Sequence, residues 1–525
     1  MSPPSAAVPG GRRTLRTVPG RTDHVVVVGA GLSGLAAALH LLGAGRSVTV
    51  VEREDHPGGR AGRLDLDGFR MDTGPTVLTM PHLLEEALGA VGESVRDRLD
   101  LVPLHPAYRA VFADGSAVDV HTDAEAMEAE VRRVAGPREA AGYRRLRRWL
   151  GALYRTQIGA FIDADFDSPL DLLSPDLARL AALGGFGRLA PAVGRFVRDE
   201  RLRRIFTFQS LYVGLPPERA LAAYAVIAYM DTVAGVYFPR GGMRTLGAAL
   251  AGAAERAGAE LRYGRAVARL ERRGERVTAV VTAEGERIGC DAVVLTPDLD
   301  VSYRLLGARP RRPLPLRHSP SAVVLHLGGD RDWPGLAHHT ISFGSAWRRT
   351  FEEITVEGRT MSDPSLLVTT PTRTDPVLAP DGGHIHYVLA PCPNLRTGRV
   401  NWHREARPYR DALVRTLERR GLPGLGDSVR VERTVTPLDW AALGHTAGTP
   451  FAVAHTFAQT GPFRPRNLVP GTTNAVLAGA GTTPGVGLPT VLISGKLAAA
   501  RITGGTLRRP RRRPNGAPAS PGAAR

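Results

Sequence analysis

One short apolar run followed by regularly spaced glycines constrains the fold of this chain more than any other feature. Val25–Val28 consists only of valines, as in a strand buried on both faces of a parallel sheet. The motif Gly29-Ala30-Gly31-Leu32-Ser33-Gly34 follows and opens Ser33–Ala44, which is rich in Ala and Leu and typical of a helix. A second strand-like run, Ser47–Val51, ends at Glu52. Strand, GxGxxG, helix, strand and acid in this order predict a Rossmann-type dinucleotide-binding unit.

The residues of this motif each have a physical function in such a unit. Gly29 permits a tight turn, Gly31 lets the backbone approach a pyrophosphate, and Gly34 lets the helix pack closely on the strand. The helix N-terminus offers unpaired N–H groups and a partial positive charge to the phosphates. Glu52, 23 residues after Gly29, would accept hydrogen bonds from a ribose hydroxyl. The alternative for Glu52 is a solvated carboxylate at a strand end.

A second glycine turn indicates which dinucleotide binds. Glu52-Arg53 runs into Pro57-Gly58-Gly59-Arg60. Such a turn lets backbone approach the second half of a long dinucleotide, and the Arg60 guanidinium offers a fork of donors to phosphate or flavin oxygens. An NAD site does not need this turn, so the sequence predicts FAD. The alternative for Arg60 is a surface residue after a turn.

Hydrophobic patterns divide the whole chain into seven segments. The predicted segments are a disordered basic leader (1–22), the first part of the FAD-binding domain (23–80), a helical substrate- and membrane-binding region (81–235), the second part of the FAD-binding domain (236–305), a substrate-domain sheet (306–440), the third part of the FAD-binding domain (441–505) and a disordered basic tail (506–525). The expected fold is therefore α/β, with a Rossmann-type FAD-binding domain, a β-sheet substrate domain and a helical membrane-associated region.

The helical region contains the best candidate for a membrane-contacting surface. Pro175–Leu211 places Leu and Phe at helical spacing with interleaved Arg, including Arg201, Arg203 and Arg204. Arg on one side and Leu and Phe on the other is what a helix lying in a membrane interface requires. The alternative is an ordinary surface helix whose Arg side chains face water.

The net charge of +17 is concentrated at the two ends of the chain. Residues 1–22 carry four Arg and residues 506–525 carry six, with no acid in either segment, which leaves a net charge of +7 for the body. An anionic membrane surface is the favoured partner for such tails, and mere solvation is the alternative. Nucleic-acid binding is not predicted, because the sequence shows no clear case of basic residues clustered on a folded face with aromatic residues among them. With Cys290 and Cys392 as the only cysteines, neither a metal site nor a disulfide framework is predicted.

Three further motifs carry a resemblance to a known family. Phe69–Pro81 reads FRMDTGPTVLTMP, Gly235–Met243 reads GVYFPRGGM, and Gly479–Pro489 reads GAGTTPGVGLP. With the glycine fingerprint and Gly58-Gly59-Arg60, these stretches resemble the bacterial phytoene desaturase (carotenoid desaturase) family, in the same order and over residues 23 to about 505. The fingerprint with Gly-Gly-Arg alone is shared with amine oxidases and protoporphyrinogen oxidases, whereas the other runs are more specific to the carotenoid branch.

The resemblance implies an amine-oxidase-like flavoprotein that holds FAD non-covalently, is cytoplasmic and peripherally membrane-associated, and desaturates phytoene towards neurosporene or lycopene. It implies that Val267 would meet the adenine through its backbone. The residues expected at the cofactor are Gly29, Ala30, Gly31, Ser33, Gly34, Glu52, Arg53, Gly58, Gly59, Arg60, Val267, Gly479, Gly481, Thr482, Gly487 and Leu488.

The implied reaction needs little acid–base machinery from the protein. Desaturation removes a hydride and then a proton from an allylic carbon pair. Since no amino acid accepts a hydride, the flavin must accept it. A dry apolar tunnel would protect the allylic cation that hydride loss leaves on the polyene. The weak catalytic candidates are Arg240 and Lys496, the only lysine in the sequence. The alternatives are that Arg240 is a turn residue and that Lys496 is a surface residue. Further side chains could shape the flavin region or line the tunnel, or could simply be structural: Asp72, Tyr229, Tyr237, His445 and His455.

Other activities on the same scaffold are open alternatives. A carotenoid isomerase or an amine oxidase would share the cofactor, and an aromatic cage before the flavin would favour the amine oxidase. A non-catalytic prenyl or lipid carrier would have a decayed fingerprint, whereas the three glycines and Glu52 are intact here.

Overall fold

The computed structural model describes residues 15–310 and 314–504. The strands, in chain order, are His24–Val28 (β1), Ser47–Val51 (β2), Arg63–Leu66 (β3), Phe69–Asp72 (β4), Leu101–Pro103 (β5), Tyr108–Val111 (β6), Ala117–Val120 (β7), Tyr237–Pro239 (β8), Glu260–Arg262 (β9), Val267–Arg273 (β10), Arg276–Thr282 (β11), Arg287–Gly289 (β12), Ala292–Leu295 (β13), Ser321–Gly329 (β14), His339–Ser342 (β15), Leu366–Thr369 (β16), His384–Cys392 (β17), Val429–Val435 (β18) and Ala475–Leu477 (β19).

Sixteen α-helices connect these strands within the described residues. They are Leu32–Gly43 (α1), His82–Gly89 (α2), Val95–Arg98 (α3), Ala124–Ala135 (α4), Pro137–Gln157 (α5), Pro175–Ala182 (α6), Leu189–Gly194 (α7), Glu200–Ile205 (α8), Ala225–Thr232 (α9), Arg244–Arg256 (α10), Leu299–Leu305 (α11), Trp347–Glu352 (α12), Trp402–Arg419 (α13), Leu425–Ser428 (α14), Pro437–Ala442 (α15) and Leu488–Thr503 (α16).

A five-stranded parallel sheet forms the first half of the molecule, in the order β19-β13-β1-β2-β9. Its strands come from three separate stretches of the chain, which are the three parts predicted for the FAD-binding domain. Strand β1 is central and all its valines are buried, as the uniform apolar run predicts. Helices α1, α10 and α16 contribute to the hydrophobic core on one face, and the antiparallel sheet β10-β11-β12 contributes to the core on the other.

A seven-stranded sheet forms the second half, in the order β18-β14-β17-β16-β15-β6-β7. Five of its strands lie in the predicted substrate-domain sheet, but β6 and β7 belong to the region predicted as helical. These two strands have four residues each and precede the long helical patterns of α4 and α5. A strand that short gives too few alternations to stand out from its surroundings.

The membrane-interface helix predicted over Pro175–Leu211 is not one helix. Turns separate α6, α7 and α8, and Phe206 and Phe208 are buried in the core, whereas Phe186 is 46% exposed. Arg204 is buried as well, and its Nη1 donates to the Gly344 carbonyl at 2.6 Å. Most of the apolar side of this segment therefore faces the core. Within the described residues, no helix combines the length and apolar character needed to cross a membrane.

The prediction of a disordered leader over residues 1–22 is wrong for residues 15–22. Residues 15–22 are described and lie against the C-terminal helix: Val18 N donates to the Arg501 carbonyl at 2.8 Å, and Arg501 Nη1 donates to the Arg16 carbonyl at 2.7 Å. The composition of the segment concealed these backbone contacts, which need no apolar side chain. Residues 1–14 and the tail 506–525 lie outside the described residues.

Candidate FAD site and apolar cavity

The GxGxxG turn at the carboxyl end of β1 leaves almost no space for side chains. Gly29 has φ +102°, and a Cβ there would lie 2.3 Å from Thr296 Oγ1. A Cβ on Gly34 would lie 2.0 Å from the Gly29 carbonyl oxygen. Gly31 differs, because its backbone (φ −69°, ψ 168°) suits any residue and the nearest atom to a Cβ would be 3.9 Å away. The fold itself requires glycine at 29 and 34, whereas at 31 glycine keeps a space open.

The second glycine turn packs directly against the first. Gly58 N donates to the Ala30 carbonyl at 2.9 Å, and Gly58 has φ +113°. Gly59 has φ +57°, and a Cβ on it would lie 3.0 Å from Gly31 Cα. Two turns that are distant in sequence therefore present bare backbone to each other and to the space beside Gly31.

A third glycine-rich stretch lies against the start of α1 and precedes a second helix. Gly487, with φ +124°, precedes α16, and α16 packs so closely along α1 that a Cβ on Gly495 would lie 2.3 Å from the Ser33 carbonyl. At Gly479 a Cβ would lie 3.4 Å from Ser33 Oγ. Neither α1 nor α16 has a side-chain cap or an acid in its first turn. The start of α1 therefore packs against the middle of α16, and both helices have uncapped N-termini, which suit an anion.

Glu52 is buried at the end of β2, with its carboxylate fixed by backbone amides. Its Oε2 accepts from Ala30 N at 2.6 Å and its Oε1 from Glu54 N at 3.0 Å. Arg265 N donates to the Glu52 carbonyl at 2.7 Å, which places the start of β10, at Val267, beside this strand end. The acid therefore lies between the first glycine turn and the segment that carries Val267.

Arg60 lies beside the glycine turns with one donor unused. Its Nη2 is 3.1 Å from His445 Nδ1 and 3.6 Å from Asp298 Oδ2, while its Nε is buried and has no hydrogen-bond partner among the described residues. Burial lowers the pKa of Arg60, and burial together with the Arg60 charge lowers the pKa of His445 to about 2. A neutral His445 and a partly buried Arg60 cation with a free Nε donor suit an additional anionic or carbonyl acceptor.

These features together fit FAD. The open space at Gly31 and the uncapped N-terminus of α1 suit a pyrophosphate, Glu52 suits a ribose, and the unpaired Arg60 Nε suits a further oxygen acceptor. None of these sites requires a rearrangement of the backbone.

The other residues predicted near the cofactor differ in what they can offer. Leu488 is the first residue of α16 and buried. Gly481 packs against α11, since a Cβ there would lie 3.1 Å from Leu299 Cβ. The Thr482 hydroxyl donates to the Pro465 carbonyl at 2.7 Å, and the Thr482 carbonyl accepts from Arg464 Nε at 2.7 Å. The Thr482 amide also donates to the Gly479 carbonyl, at 3.3 Å, so each polar group of Thr482 already has a partner in the protein.

Arg53 and Arg240 are surface residues in this structure, with about half of each side chain exposed (50% and 49%). Arg53 Nη2 donates to the Leu443 carbonyl at 2.8 Å, and Arg53 also pairs with Glu54. Arg240 pairs with Asp100 at 3.0 Å. Both connect surface segments, so the position of Arg240 does not support a catalytic role.

Lys496 is neither exposed nor at the start of α16. It lies two turns into the helix, is buried, and its Nζ contacts Asp163 Oδ2 at 2.5 Å and Glu86 Oε1 at 3.1 Å. The alternative of a surface lysine is therefore wrong, and Lys496 joins α16 to α2 and to the turn after α5.

Asp72 has a structural contact of its own. Its carboxylate accepts from Met243 N at 2.8 Å and holds the start of α10.

Most of the remaining candidates have structural contacts. Tyr229 stacks on Tyr154 with ring centroids 4.4 Å apart, and the Tyr237 amide donates to the Leu78 carbonyl at 2.8 Å. His455 is closer to the glycine turns, because its ring would lie 2.2 Å from a Cβ on Gly485. It is therefore the one of these three that limits space at the third glycine-rich stretch.

An apolar cavity lies between the seven-stranded sheet and the helical region. Its lining includes Phe208, Tyr212, Ile341, Phe343, Trp347 and Phe451. The volume inside it is about 70 Å³, below the roughly 300–1,000 Å³ of usual ligand pockets. A long apolar ligand can therefore enter only if lining side chains move.

Arg464 links the third glycine-rich stretch to the segment that follows Phe451 of the cavity wall. The guanidinium is buried, and it donates to the Val453 carbonyl at 3.1 Å, to the Ala480 carbonyl at 2.6 Å and to the Thr482 carbonyl at 2.7 Å. Val453 is two residues after Phe451 of the cavity wall. Sequence reasoning missed Arg464 and the lining residues, since they come from segments far apart in the chain with no shared motif.

Comparisons with known proteins agree with this architecture. The family model described as flavin containing amine oxidoreductase matches residues 32–503. A phytoene dehydrogenase of Streptomyces griseus is 71% identical over 96% of this chain and 100% of its own length. A zeta-carotene-forming phytoene desaturase of Myxococcus xanthus is 38% identical over 91% of this chain and 93% of its own.

The solved structure of putrescine oxidase with bound putrescine shares the fold, with a TM-score of 0.58 at 15% identity over 92% of this chain and 99% of that one. At this identity the likeness shows the fold alone. The two sequence relatives are similar over nearly their full length, and the predicted FAD cofactor agrees with the matching family model. The chain belongs to the bacterial phytoene desaturase (carotenoid desaturase) family, whose members are FAD-dependent oxidoreductases on the amine-oxidase fold.

Proposed function

We propose that this protein desaturates phytoene, a tetraterpene polyene, towards neurosporene or lycopene in carotenoid biosynthesis. The observation that carries the proposal is an apolar cavity in a chain 71% identical to a phytoene dehydrogenase. The segment after Phe451 of the cavity wall is bonded through Arg464 to the glycine-rich stretch before α16. When bound, FAD supplies the hydride acceptor that amino acids lack. The protein's own contribution is to hold one bond of an apolar chain in place and to exclude water.

Specific residues are proposed to hold the cofactor. Gly31 and the amides at the start of α1 would receive the pyrophosphate, and the start of α16 would contact another part of the cofactor. Glu52 would receive a ribose hydroxyl, and Arg60 a second acceptor through its unpaired Nε. Val267 would approach the adenine, because the segment leading to it is hydrogen-bonded to Glu52. For Arg53 we propose only an indirect role, since its side chain is occupied at the surface.

A membrane surface is the proposed source of the substrate, but the contact region is not the one that periodicity suggested. Four large apolar side chains are exposed on neighbouring short turns: Leu170, Leu173, Phe457 and Phe463, which are 62%, 70%, 61% and 38% exposed. The Phe457 and Phe463 rings lie 5.9 Å apart. We call these four residues the apolar surface patch. Exposed Leu and Phe of this kind bury well at the boundary of headgroups and acyl chains.

The inner side of the apolar surface patch leads towards the FAD site. Tyr224 Oη contacts Thr460 Oγ1 at 2.5 Å and His455 Nδ1 at 3.3 Å, and His455 packs on Gly485. Arg317 and Arg466 are exposed near the patch and could contact anionic headgroups. A bilayer contact here would bring a lipid-dissolved polyene close to the cofactor.

Phytoene in liposomes, given to the purified FAD-loaded protein, tests the substrate assignment. We expect phytoene to be consumed and more conjugated polyenes to appear on chromatography. The Gly31→Val variant serves as the matched control, since it is designed to keep the fold and lose the cofactor. Unchanged phytoene with FAD bound to the wild-type protein would overturn the assignment.

A further inference from the structure

Asp231, at the end of α9, is a buried carboxylic acid with an unpaired oxygen. The residue is 2% exposed, and its Oδ2 accepts from the Tyr108 hydroxyl at 3.1 Å. Its Oδ1 has no hydrogen-bond partner within residues 15–310 and 314–504. Two further buried atoms are unpaired in the 3₁₀ turn Phe208–Leu211, Gln209 Oε1 and Ser210 Oγ, whereas the Gln209 side-chain amide is close enough to Asp231 to lower its pKa. Buried polar atoms without partners are rare and often mark function.

This acid lies one side-chain layer from the apolar cavity. Phe208 and Tyr212 both line the cavity. The Tyr108 ring meets the Phe208 ring edge-on with centroids 5.7 Å apart, and burial and the nearby Asp231 charge raise the pKa of Tyr212. A polyene that enters must displace lining side chains, and these two are the ones that separate the cavity from Asp231.

Two other buried acids show what Asp231 lacks. Asp72 accepts from Met243 N at the start of α10, and Asp165 pairs with Arg501 at 3.0 Å. Each of these carboxylates thereby meets a donor or a cation that the fold provides, although burial raises the pKa of Asp72 to about 7 as it does that of Asp231. Asp231 takes part in no ion pair within the described parts of the chain, and no basic residue is among the groups that shift its pKa.

The groups around Asp231 come from each element that packs on α9 and are neutral or distant. Tyr108 is on β6, Gln209 and Tyr212 are in the turn after α8, and Tyr154 and Arg155 are on α5, where Arg155 is exposed. His339 on β15 lies 5.8 Å from the Tyr108 ring, and burial lowers its pKa, so it is neutral. The fold therefore provides no counter-charge for an ionised Asp231.

We infer that Asp231 is the proton acceptor of the desaturation and that the cationic polyene is its counter-charge. The inference rests on the proposed function. A hydride leaves one allylic C–H bond with its electron pair for the bound flavin, which leaves a positive charge on the polyene. The adjacent carbon then loses a proton to Asp231, where an O–H bond forms, and the electron pair of that C–H bond becomes the new double bond. The proton returns to solvent before the next cycle.

The ionisation of Asp231 gives this assignment a pH signature. Burial raises the pKa of Asp231 to about 7. Only the carboxylate can accept a proton, so the rate of desaturation should rise with pH up to about 7 and level off above it. The Tyr108→Phe variant removes a hydrogen bond that stabilises the carboxylate, so its profile should shift to higher pH.

Thermal stability reports on the same group without any catalytic assay. A carboxyl whose folded-state pKa is raised stabilises the fold when protonated, and this contribution is lost as pH rises from about 4, the unfolded value, to about 7. Asp231→Asn imitates the protonated form. Its Tm advantage over the wild-type protein should therefore be larger at pH 8 than at pH 5.

The experiment compares kcat on phytoene in liposomes from pH 5 to pH 9 for FAD-loaded wild-type, D231N, D231E and Y108F proteins. We expect D231N to keep the flavin spectrum, lose about 100-fold in kcat and lose the rise with pH, and D231E to recover that rise. Asp381→Asn, at an exposed turn, is the matched control and should leave both profiles unchanged.

The outcomes separate the two proposals. A wild-type protein that leaves phytoene unchanged would refute the proposed function. An active wild-type protein with D231N of equal kcat and unchanged pH profile would refute only the role of Asp231. If D231N does not fold, the Y108F profile decides, because an unshifted midpoint contradicts the assignment.

Discussion

The FAD site and the apolar cavity are built in opposite ways. At the FAD site, backbone atoms form the surface that would contact the cofactor. Gly29 and Gly34 must be glycine because a side chain would overlap neighbouring atoms, and Gly31 keeps a space open. In the cavity, large side chains such as Phe208 and Trp347 fill most of the volume. The first region is preorganised for one rigid ligand, whereas the second must rearrange to admit a long flexible one. Substitutions should therefore act on FAD affinity in the first region and on substrate use in the second.

The largest expected effect is the loss of FAD affinity on substitution of Gly31. Gly31→Val should fit the folded protein, because its backbone conformation suits any residue, but the side chain would occupy the space proposed for the pyrophosphate. We expect FAD affinity to fall by more than about 100-fold, near 3 kcal/mol, with little change in Tm of the FAD-free protein. Flavin fluorescence titration and thermal unfolding measure the two quantities.

Gly34→Val provides the matched contrast, since its Cβ would lie 2.0 Å from a backbone oxygen. This variant should lose both FAD and thermal stability. If Gly31→Val binds FAD normally, the proposed position of the pyrophosphate is wrong.

A smaller effect is expected from filling the cavity. Ile341→Trp adds bulk to a wall lined by Phe343 and Trp347 and should lower kcat/KM for phytoene about tenfold, because the polyene must displace more side-chain volume. The flavin spectrum and FAD affinity should not change. A loss of FAD in this variant would show that the two regions are not separable.

The smallest effect concerns the membrane contact. Replacing both Phe457 and Phe463 by Ser should weaken liposome binding by roughly fivefold, since the two rings together contribute about 1 kcal/mol when buried in the interface. Phe186→Ser is the matched control, because Phe186 is 46% exposed but lies in the segment first favoured from periodicity. Cosedimentation with liposomes measures both. Weaker binding of the Phe186 variant alone would restore that earlier segment as the contact.

The same contrast explains what the sequence could predict. The glycine turns follow local spacing rules, so Gly29, Gly34 and Glu52 were placed at one sheet edge from sequence alone, and the structure brings them together there. The Arg- and Phe-rich segment shows the limit of periodicity, which reveals an apolar side but not what covers it. Phe206 faces the core for that reason.

Contacts between segments that are far apart in the sequence cannot be predicted from local sequence patterns. Tyr108 and Asp231 are 123 residues apart, and no spacing rule joins them. Arg464 likewise bonds carbonyls on two stretches that approach only in the folded chain. Such contacts depend on tertiary packing, which a pattern along one strand or helix does not encode.

Anaerobic mixing of the FAD-loaded protein with phytoene in liposomes tests the central claim most directly. The account predicts that the visible absorption band of the oxidised flavin bleaches in step with the appearance of a longer conjugated polyene, one double bond for each flavin reduced. An oxidised flavin spectrum that stays unchanged over phytoene, in protein shown to bind the liposomes, would contradict it.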